Sequence, residues 1–98
     1  MDIGSIHDVP LEGARFITIN GVNIAIFKTS AGKIRALDNF CAHKGGPLSE
    51  GIVHGEFVTC PLHNWVFSLK TGEAQGADKG CVKTYNVEVK NERIILIL

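Results

Sequence analysis

The dominant pattern in the chain is an alternation of hydrophobic and polar residues with a period of two. Residues 16–19 and 22–28 are separated by Asn20-Gly21, a dipeptide that favours the two-residue turns joining antiparallel strands. These segments therefore predict a β-hairpin. Successive side chains of a strand point to opposite faces, which predicts that the second arm places Ile24 and Ile26 on one face and Ala25 and Phe27 on the other.

Further strands are predicted along the rest of the chain, at residues 34–38, 56–59, 65–69, 83–90 and 93–98. The intervening Ser30–Lys33, Lys70–Gly72 and Asn91-Glu92 are typical turn sequences, and a short turn is expected near Ile6–Leu11. No segment carries a convincing helical stripe. Many short strands with glycine-rich turns predict an all-β antiparallel sandwich or partly open barrel, with residues 1–98 as a single domain.

Composition narrows the choice of partners and compartment. The 98 residues carry ten Lys and Arg against ten Asp and Glu, which argues against a nucleic-acid surface or a polybasic membrane contact. The longest apolar run, Ile94–Leu98, is far shorter than a membrane span, and residues 1–15 lack the features of a signal peptide, so we expect a cytoplasmic protein. Three cysteines do not suit a disulfide framework and are better candidates for metal ligands or buried apolar side chains.

Two stretches that interrupt the strand pattern each carry one cysteine and one histidine. They read Cys41-x-His43 and, after sixteen further residues, Cys60-x-x-His63. A structural zinc site would accept two Cys and two His, but zinc-finger spacing groups like ligands together. Here the order is the same in both loops, so two loops side by side would present a cysteine pair at one depth and a histidine pair at another. That arrangement suits a two-iron cluster with thiolates on one iron and imidazoles on the other.

The residues around these ligands closely resemble the Rieske family. The resemblance lies in C-x-H-K-G-G-P-L-S-E-G and C-P-L-H-N-W-x-F, and it extends from about Val22 to the end of the chain. It implies a Rieske-type [2Fe–2S] cluster, one per chain, in a small cluster-binding subdomain formed by two loops within residues 39–68. The family pattern assigns Cys41 and Cys60 to the inner iron and His43 and His63 to the outer iron near the surface.

Departures from the family pattern predict a low reduction potential. Rieske proteins of respiratory bc-type complexes have an additional disulfide at the positions of Gly46 and Leu62, and hydroxyl groups at the positions of Trp65 and Phe67. Without those hydroxyls fewer hydrogen bonds stabilise the reduced cluster, so we expect a potential near the low end of the Rieske range of roughly −150 to +300 mV. The side chains of Leu48, Trp65 and Phe67 are expected to exclude water from the cluster.

No second cofactor motif and no catalytic constellation accompanies the cluster motif, which indicates a protein that transfers electrons between partners. Among short Rieske proteins, the chain resembles the small subunit of NAD(P)H-dependent nitrite reductase, whose large subunit carries flavin and sirohaem and which converts nitrite to ammonium. The resemblance is carried by residues 43–55, 58–65 and 80–85. The ferredoxin component of a multicomponent aromatic-ring dioxygenase is the alternative, and a structural zinc-binding or plain interaction module is the alternative of a different class.

The remaining candidate residues have ordinary interpretations. Cys81 has no histidine at ligand spacing and is interpreted as a structural thiol, and His7 and His54 lack companions. Lys44 and the Gly51–Gly55 loop, which lie beside the ligand motifs in sequence, are the expected rim of a contact with the redox partner.

Overall fold

The computed structural model describes residues 1–40, 47–61, 65–75 and 80–97. Within them the chain forms nine β-strands and two short 3-10 helices, at Ile6–Asp8 and Leu48–Glu50. No helix in these ranges has the length and apolar character to cross a membrane. The strands are β1 (Asp2–Ser5), β2 (Ala14–Ile19), β3 (Val22–Lys28), β4 (Ile34–Asp38), β5 (Ile52–His54), β6 (Phe57–Thr59), β7 (Val66–Ser68), β8 (Thr84–Lys90) and β9 (Arg93–Ile97).

The strands form two antiparallel sheets. The larger has the order β1-β9-β8-β4-β3-β2 and curls into a half-barrel, and the smaller has the order β5-β6-β7. The prediction of an all-β, partly open antiparallel barrel is therefore confirmed. The first 3-10 helix is capped by Ser5, whose hydroxyl accepts a hydrogen bond from the His7 N–H while the Asp8 carboxylate accepts one from the Ser5 N–H.

The predicted hairpin has the expected turn. Ile19 pairs directly with Val22, which leaves Asn20 and Gly21 as the two turn residues, with φ of 50° and 79°. Positive φ at both positions matches the right-handed twist of the strands and is tolerated best by Asn and Gly. The two-residue turn at Asn91-Glu92, between β8 and β9, is also present.

Two hydrophobic clusters lie on opposite faces of the large sheet, as the alternation in β3 predicts. Ile24 and Ile26 belong to the cluster inside the half-barrel, with Leu96 among its members. Ala25 and Phe27 belong to the cluster between the two sheets, which also holds Leu48, Val53, Val58, Cys60, Phe67 and Leu69. The small sheet is thus packed on the large one through a core that includes one of the predicted ligands.

Two strands are not anticipated by the pattern. Residues 51–55 are predicted as a loop, but Ile52–His54 forms β5. The pattern does not reveal this strand, because only Val53 is buried and the segment is too short to show alternation. Strand β1 contains Gly4 at φ of 136° and pairs with β9 through an irregular register, so its sequence carries no local strand signal. The strands predicted at residues 22–28 and 34–38 have the observed bounds, and the other predicted strands differ from the observed ones by one or two residues at their ends.

Candidate metal centre

The stretch that carries the second predicted motif, residues 60–65, is called here the second ligand segment. It is held at both ends by the hairpin of β6 and β7. Cys60 follows β6 directly and Trp65 precedes β7, and the Cys60 N–H donates to the Trp65 carbonyl at 2.6 Å. This bond continues the ladder between Thr59 and Val66 by one step. The strands therefore hold Cys60 and Trp65, the residues that flank positions 61–64, close together.

Cys60 lies in apolar surroundings. It is 0% exposed and belongs to the same cluster as Leu48, Val58 and Phe67, while Trp65 packs against that cluster from the side. The Trp65 and Phe67 rings are 6.2 Å apart, tilted by 40°. A thiolate in such surroundings is costly unless a metal binds it, so the site suits a sulfur ligand of a buried metal group. The three side chains predicted to exclude water all pack in or against the cluster that holds Cys60.

The first ligand segment, residues 39–49, carries the motif Cys41-x-His43. The residues at its two ends are held by hydrogen bonds and by packing. Asn39 follows β4, and its N–H donates to the Asn23 carbonyl at 2.9 Å. On the other side, Pro47 leads into the 3-10 helix that buries Leu48 at 0% exposure. The Asn39 side chain accepts a hydrogen bond from the Ser49 N–H at 2.7 Å. Sequence reasoning missed Asn39, because nothing in the local pattern indicates that it contacts a residue ten positions away.

The outward face of the small sheet is partly apolar. Ile52 is 69% exposed and is paired with Thr59, the residue before Cys60. His54 stacks on Phe57 with ring centroids 6.2 Å apart, and its Nε2 lies 2.7 Å from the Thr59 hydroxyl. His54 thus contacts two residues of the neighbouring strand β6.

A partly buried hydrogen bond ties β8 to the end of β4. The Tyr85 hydroxyl donates to Asp38 Oδ1 at 2.5 Å, and the Lys83 ammonium lies 5.0 Å from the centre of the Tyr85 ring. Burial, followed by the hydrogen bond to Asp38 and the charge of that carboxylate, raises the pKa of Tyr85 to about 12. The bond therefore persists across the physiological pH range.

Of the four predicted ligands, Cys60 lies within the described residues, whereas Cys41, His43 and His63 lie outside them, as do Lys44, Gly45, Gly46 and Leu62. Among the residues that are described, no three His, Cys, Asp or Glu side chains come together as a metal site. His7 lies 3.1 Å from Glu92. Cys81 is exposed, so it is not a buried apolar side chain.

The fold, a buried cysteine at the base of a hairpin loop and the paired cysteine–histidine motifs define an iron–sulfur protein. Residues 1–86 match the Rieske [2Fe-2S] domain, and the chain belongs to this family. A Rieske-type [2Fe–2S] cluster is accordingly its cofactor. The donors in the two motifs fit that group, since two thiols and two imidazoles are the Rieske ligand set, and the Cys60 thiol lies buried at the base of the second motif.

Relatives of known sequence or structure include partners of two kinds of enzyme. The chain is 33% identical over 97 residues to the ferredoxin component of the naphthalene 1,2-dioxygenase/salicylate 5-hydroxylase systems of Ralstonia sp., covering 98% of this chain and 92% of the relative. A chain from the complex of oxygenase and ferredoxin in carbazole 1,9a-dioxygenase superposes with a TM-score of 0.89 at 21% identity, covering 99% and 100% of the two chains. A protein of Mycobacterium tuberculosis assigned as an NADH-dependent nitrite reductase small subunit superposes with a TM-score of 0.88 at 21% identity, covering 98% and 91%.

Proposed function

We propose that Cys41, His43, Cys60 and His63 bind the [2Fe–2S] cluster, and that this Rieske electron-transfer protein is the small subunit of an NAD(P)H-dependent nitrite reductase. The ligand assignment is supported by the order of the two motifs and by the burial of Cys60. It also agrees with the hairpin bond between Cys60 and Trp65, which holds the base of the second motif.

The cluster, when bound, accepts and donates one electron at a time. The protein's own part is to surround the cysteine side of the site with apolar groups. Leu48 and Phe67, both 0% exposed, pack in the cluster with Cys60. Exclusion of water lowers the local dielectric and makes the potential sensitive to each hydrogen bond that the chain donates to sulfur.

The sequence around the ligands is the observation that carries the nitrite reductase assignment. The stretches H-K-G-G-P-L-S-E-G-I-V-H-G at residues 43–55 and G-C-V-K-T-Y at residues 80–85 resemble the nitrite reductase small subunit. The likeness to the structure of an assigned small subunit supports a compatible fold. On this proposal the partner is the large subunit with flavin and sirohaem, and the reaction served is reduction of nitrite to ammonium by NAD(P)H.

The second candidate is the ferredoxin component of an aromatic-ring dioxygenase. It is favoured by the 33% identity to the Ralstonia ferredoxin over nearly the whole of both chains. Both candidates share the cluster and the fold and differ in the protein that receives the electron.

The outward face of β5 is proposed as part of the rim that contacts the partner. Ile52 is exposed and lies opposite Thr59, one residue from Cys60, so a protein seated on this face comes close to the second ligand segment. Lys44, beside His43 in sequence, is the proposed charged part of the same rim. A single domain over residues 1–98 and a cytoplasmic location stay predictions.

Reconstitution with the large subunit tests the function. We expect NAD(P)H-driven nitrite reduction to require this chain. The Cys60→Ser variant should not support the reaction, because it loses the cluster. Cys81→Ser, a matched change at an exposed cysteine, should leave activity intact. Ile52→Glu should slow the transfer of electrons while the cluster spectrum stays unchanged. If nitrite reduction is indifferent to this chain and the chain supplies an aromatic-ring dioxygenase instead, the second candidate is correct.

A further inference from the structure

Asn39 makes three hydrogen bonds that join parts of the chain distant in sequence. Its N–H donates to the Asn23 carbonyl at 2.9 Å, and its side-chain Nδ2 donates to Asn23 Oδ1 at 2.7 Å. Its Oδ1 accepts from the Ser49 N–H at 2.7 Å. Asn23 Nδ2 in turn donates to the Thr18 hydroxyl at 3.3 Å, so the network reaches from β2 across β3 to the 3-10 helix.

Asn39 and Ser49 lie on opposite sides of the first cysteine–histidine motif. Asn39 comes two residues before Cys41, and Ser49 comes six residues after His43. The Asn39 carboxamide therefore ties together the two ends of the segment that carries both ligands of the first motif. Through Asn23 it attaches those ends to the large sheet, and through Ser49 it attaches them to the helix that buries Leu48 beside Cys60.

We propose that Asn39 is a positioning residue for the cluster, because it joins the two ends of the chain segment that carries Cys41 and His43 and attaches them to the core that holds Cys60. This inference rests on the ligand assignment of the proposed function. A segment whose ends are already joined loses less conformational entropy when its side chains bind iron, so it releases the iron more slowly. The role requires an acceptor for Ser49 and a donor for Asn23 on one short side chain, which asparagine provides.

Three variants of the full chain, each loaded with cluster, test the proposal. Asn39→Leu keeps the approximate size and removes both side-chain bonds, whereas Asn39→Asp keeps the acceptor for the Ser49 N–H. Thr29→Val is the control, because the Thr29 hydroxyl accepts the Lys33 N–H at 3.1 Å in the turn at the opposite end of β3 and β4. The measurements are the rate of iron release to a chelator, the visible circular dichroism of the bound cluster and the midpoint of thermal unfolding.

We expect Asn39→Leu to release iron about tenfold faster, the equivalent of about 1.4 kcal/mol, and to change the visible circular dichroism. Asn39→Asp should recover only part of the slow release, because its carboxylate accepts from the Ser49 N–H but cannot donate to Asn23 Oδ1. Thr29→Val should lower the thermal midpoint without faster release. Wild-type release from Asn39→Leu, or equally fast release from Thr29→Val, would overturn the proposal. If Asn39→Leu does not fold, Asn23→Leu replaces it, and unchanged release there overturns the proposal as well. A wild-type chain that binds zinc and no iron would instead refute the iron–sulfur cluster of the proposed function.

Discussion

Replacing Gly51 with alanine tests whether the packing beneath the second ligand segment sets the position of Cys60. Gly51 has φ of −78° and ψ of 176°, a conformation open to any residue, so an added methyl group brings no backbone strain of its own. A Cβ at this position, however, would lie 2.3 Å from the Thr59 carbonyl oxygen and 3.0 Å from Val58 Cγ2. The cost of Gly51→Ala is therefore steric, and it falls on the end of β6.

The size of the displacement follows from those distances. An ordinary contact begins at 3.4 Å, so the Thr59 carbonyl and the new methyl group must separate by about 1.1 Å. Metal–ligand distances are held to within about 0.2 Å, and Cys60 is the next residue after Thr59. Overpacking of this kind costs about 1–3 kcal/mol of folding free energy. We expect Gly51→Ala to be purified with less iron and sulfide than the wild type, and to lose the remainder faster to a chelator.

Gly55→Ala is the matched control in the same hairpin. Gly55 has φ of +61° with nothing within 4 Å of an added Cβ, so the change costs about 1–2 kcal/mol through the left-handed backbone and displaces no neighbour. Both variants should therefore unfold at lower temperature, by about 4–8 °C for each kcal/mol. If Gly51→Ala keeps its iron as long as Gly55→Ala does, the packing at Gly51 does not position Cys60.

Three further predictions concern single side chains. Tyr85 is the only tyrosine, so its ionisation can be followed by absorbance. Its pKa in the folded chain, about 12, exceeds the ordinary 10.0. Its contribution to stability is therefore complete below pH 10 and is lost as the pH rises towards 12. Asp38→Asn should lower that pKa and flatten the loss, and an unchanged titration would contradict the role of Asp38. Phe67→Tyr should raise the reduction potential by about 60 mV for each 1.4 kcal/mol of preference of the new hydroxyl for the reduced cluster, as voltammetry can show; no rise, or a wild-type value near the top of the Rieske range, would refute the low-potential prediction. Cys81→Ser should leave the visible spectrum unchanged, and bleaching would show that this exposed cysteine supports the cluster.

The parts of the fold that follow from local chemistry could be predicted from the sequence. Asn20-Gly21 specifies a two-residue turn, and the alternation along β3 assigns its side chains to two separate cores. Strand β1 and the contact between Asn39 and Ser49 could not be predicted, because each depends on a partner far along the chain. β1 pairs with β9 at the opposite end of the sequence, and the Ser49 N–H finds its acceptor only after β4 and the 3-10 helix have packed together.

The candidate site divides in the same way. Ligand spacing predicts Cys60 and its three companions as ligands without a structure, because the donors that iron requires are few and chemically distinct. The structure shows that Cys60 is buried with Leu48 and Phe67. These apolar surroundings of the sulfur could not be predicted from the spacing of the ligands. The neighbouring strand β5 is predicted as a loop, because three residues are too few to show the alternation of hydrophobic and polar positions.

Iron, acid-labile sulfide and zinc measured per chain, on protein produced with iron available, test the central claim most directly. We expect about two irons and about two sulfides per chain, the content of one [2Fe–2S] cluster, with both lost in Cys60→Ser and retained in Cys81→Ser. One zinc per chain with no iron and no sulfide would contradict it, and would make the chain a structural zinc module built on the same fold.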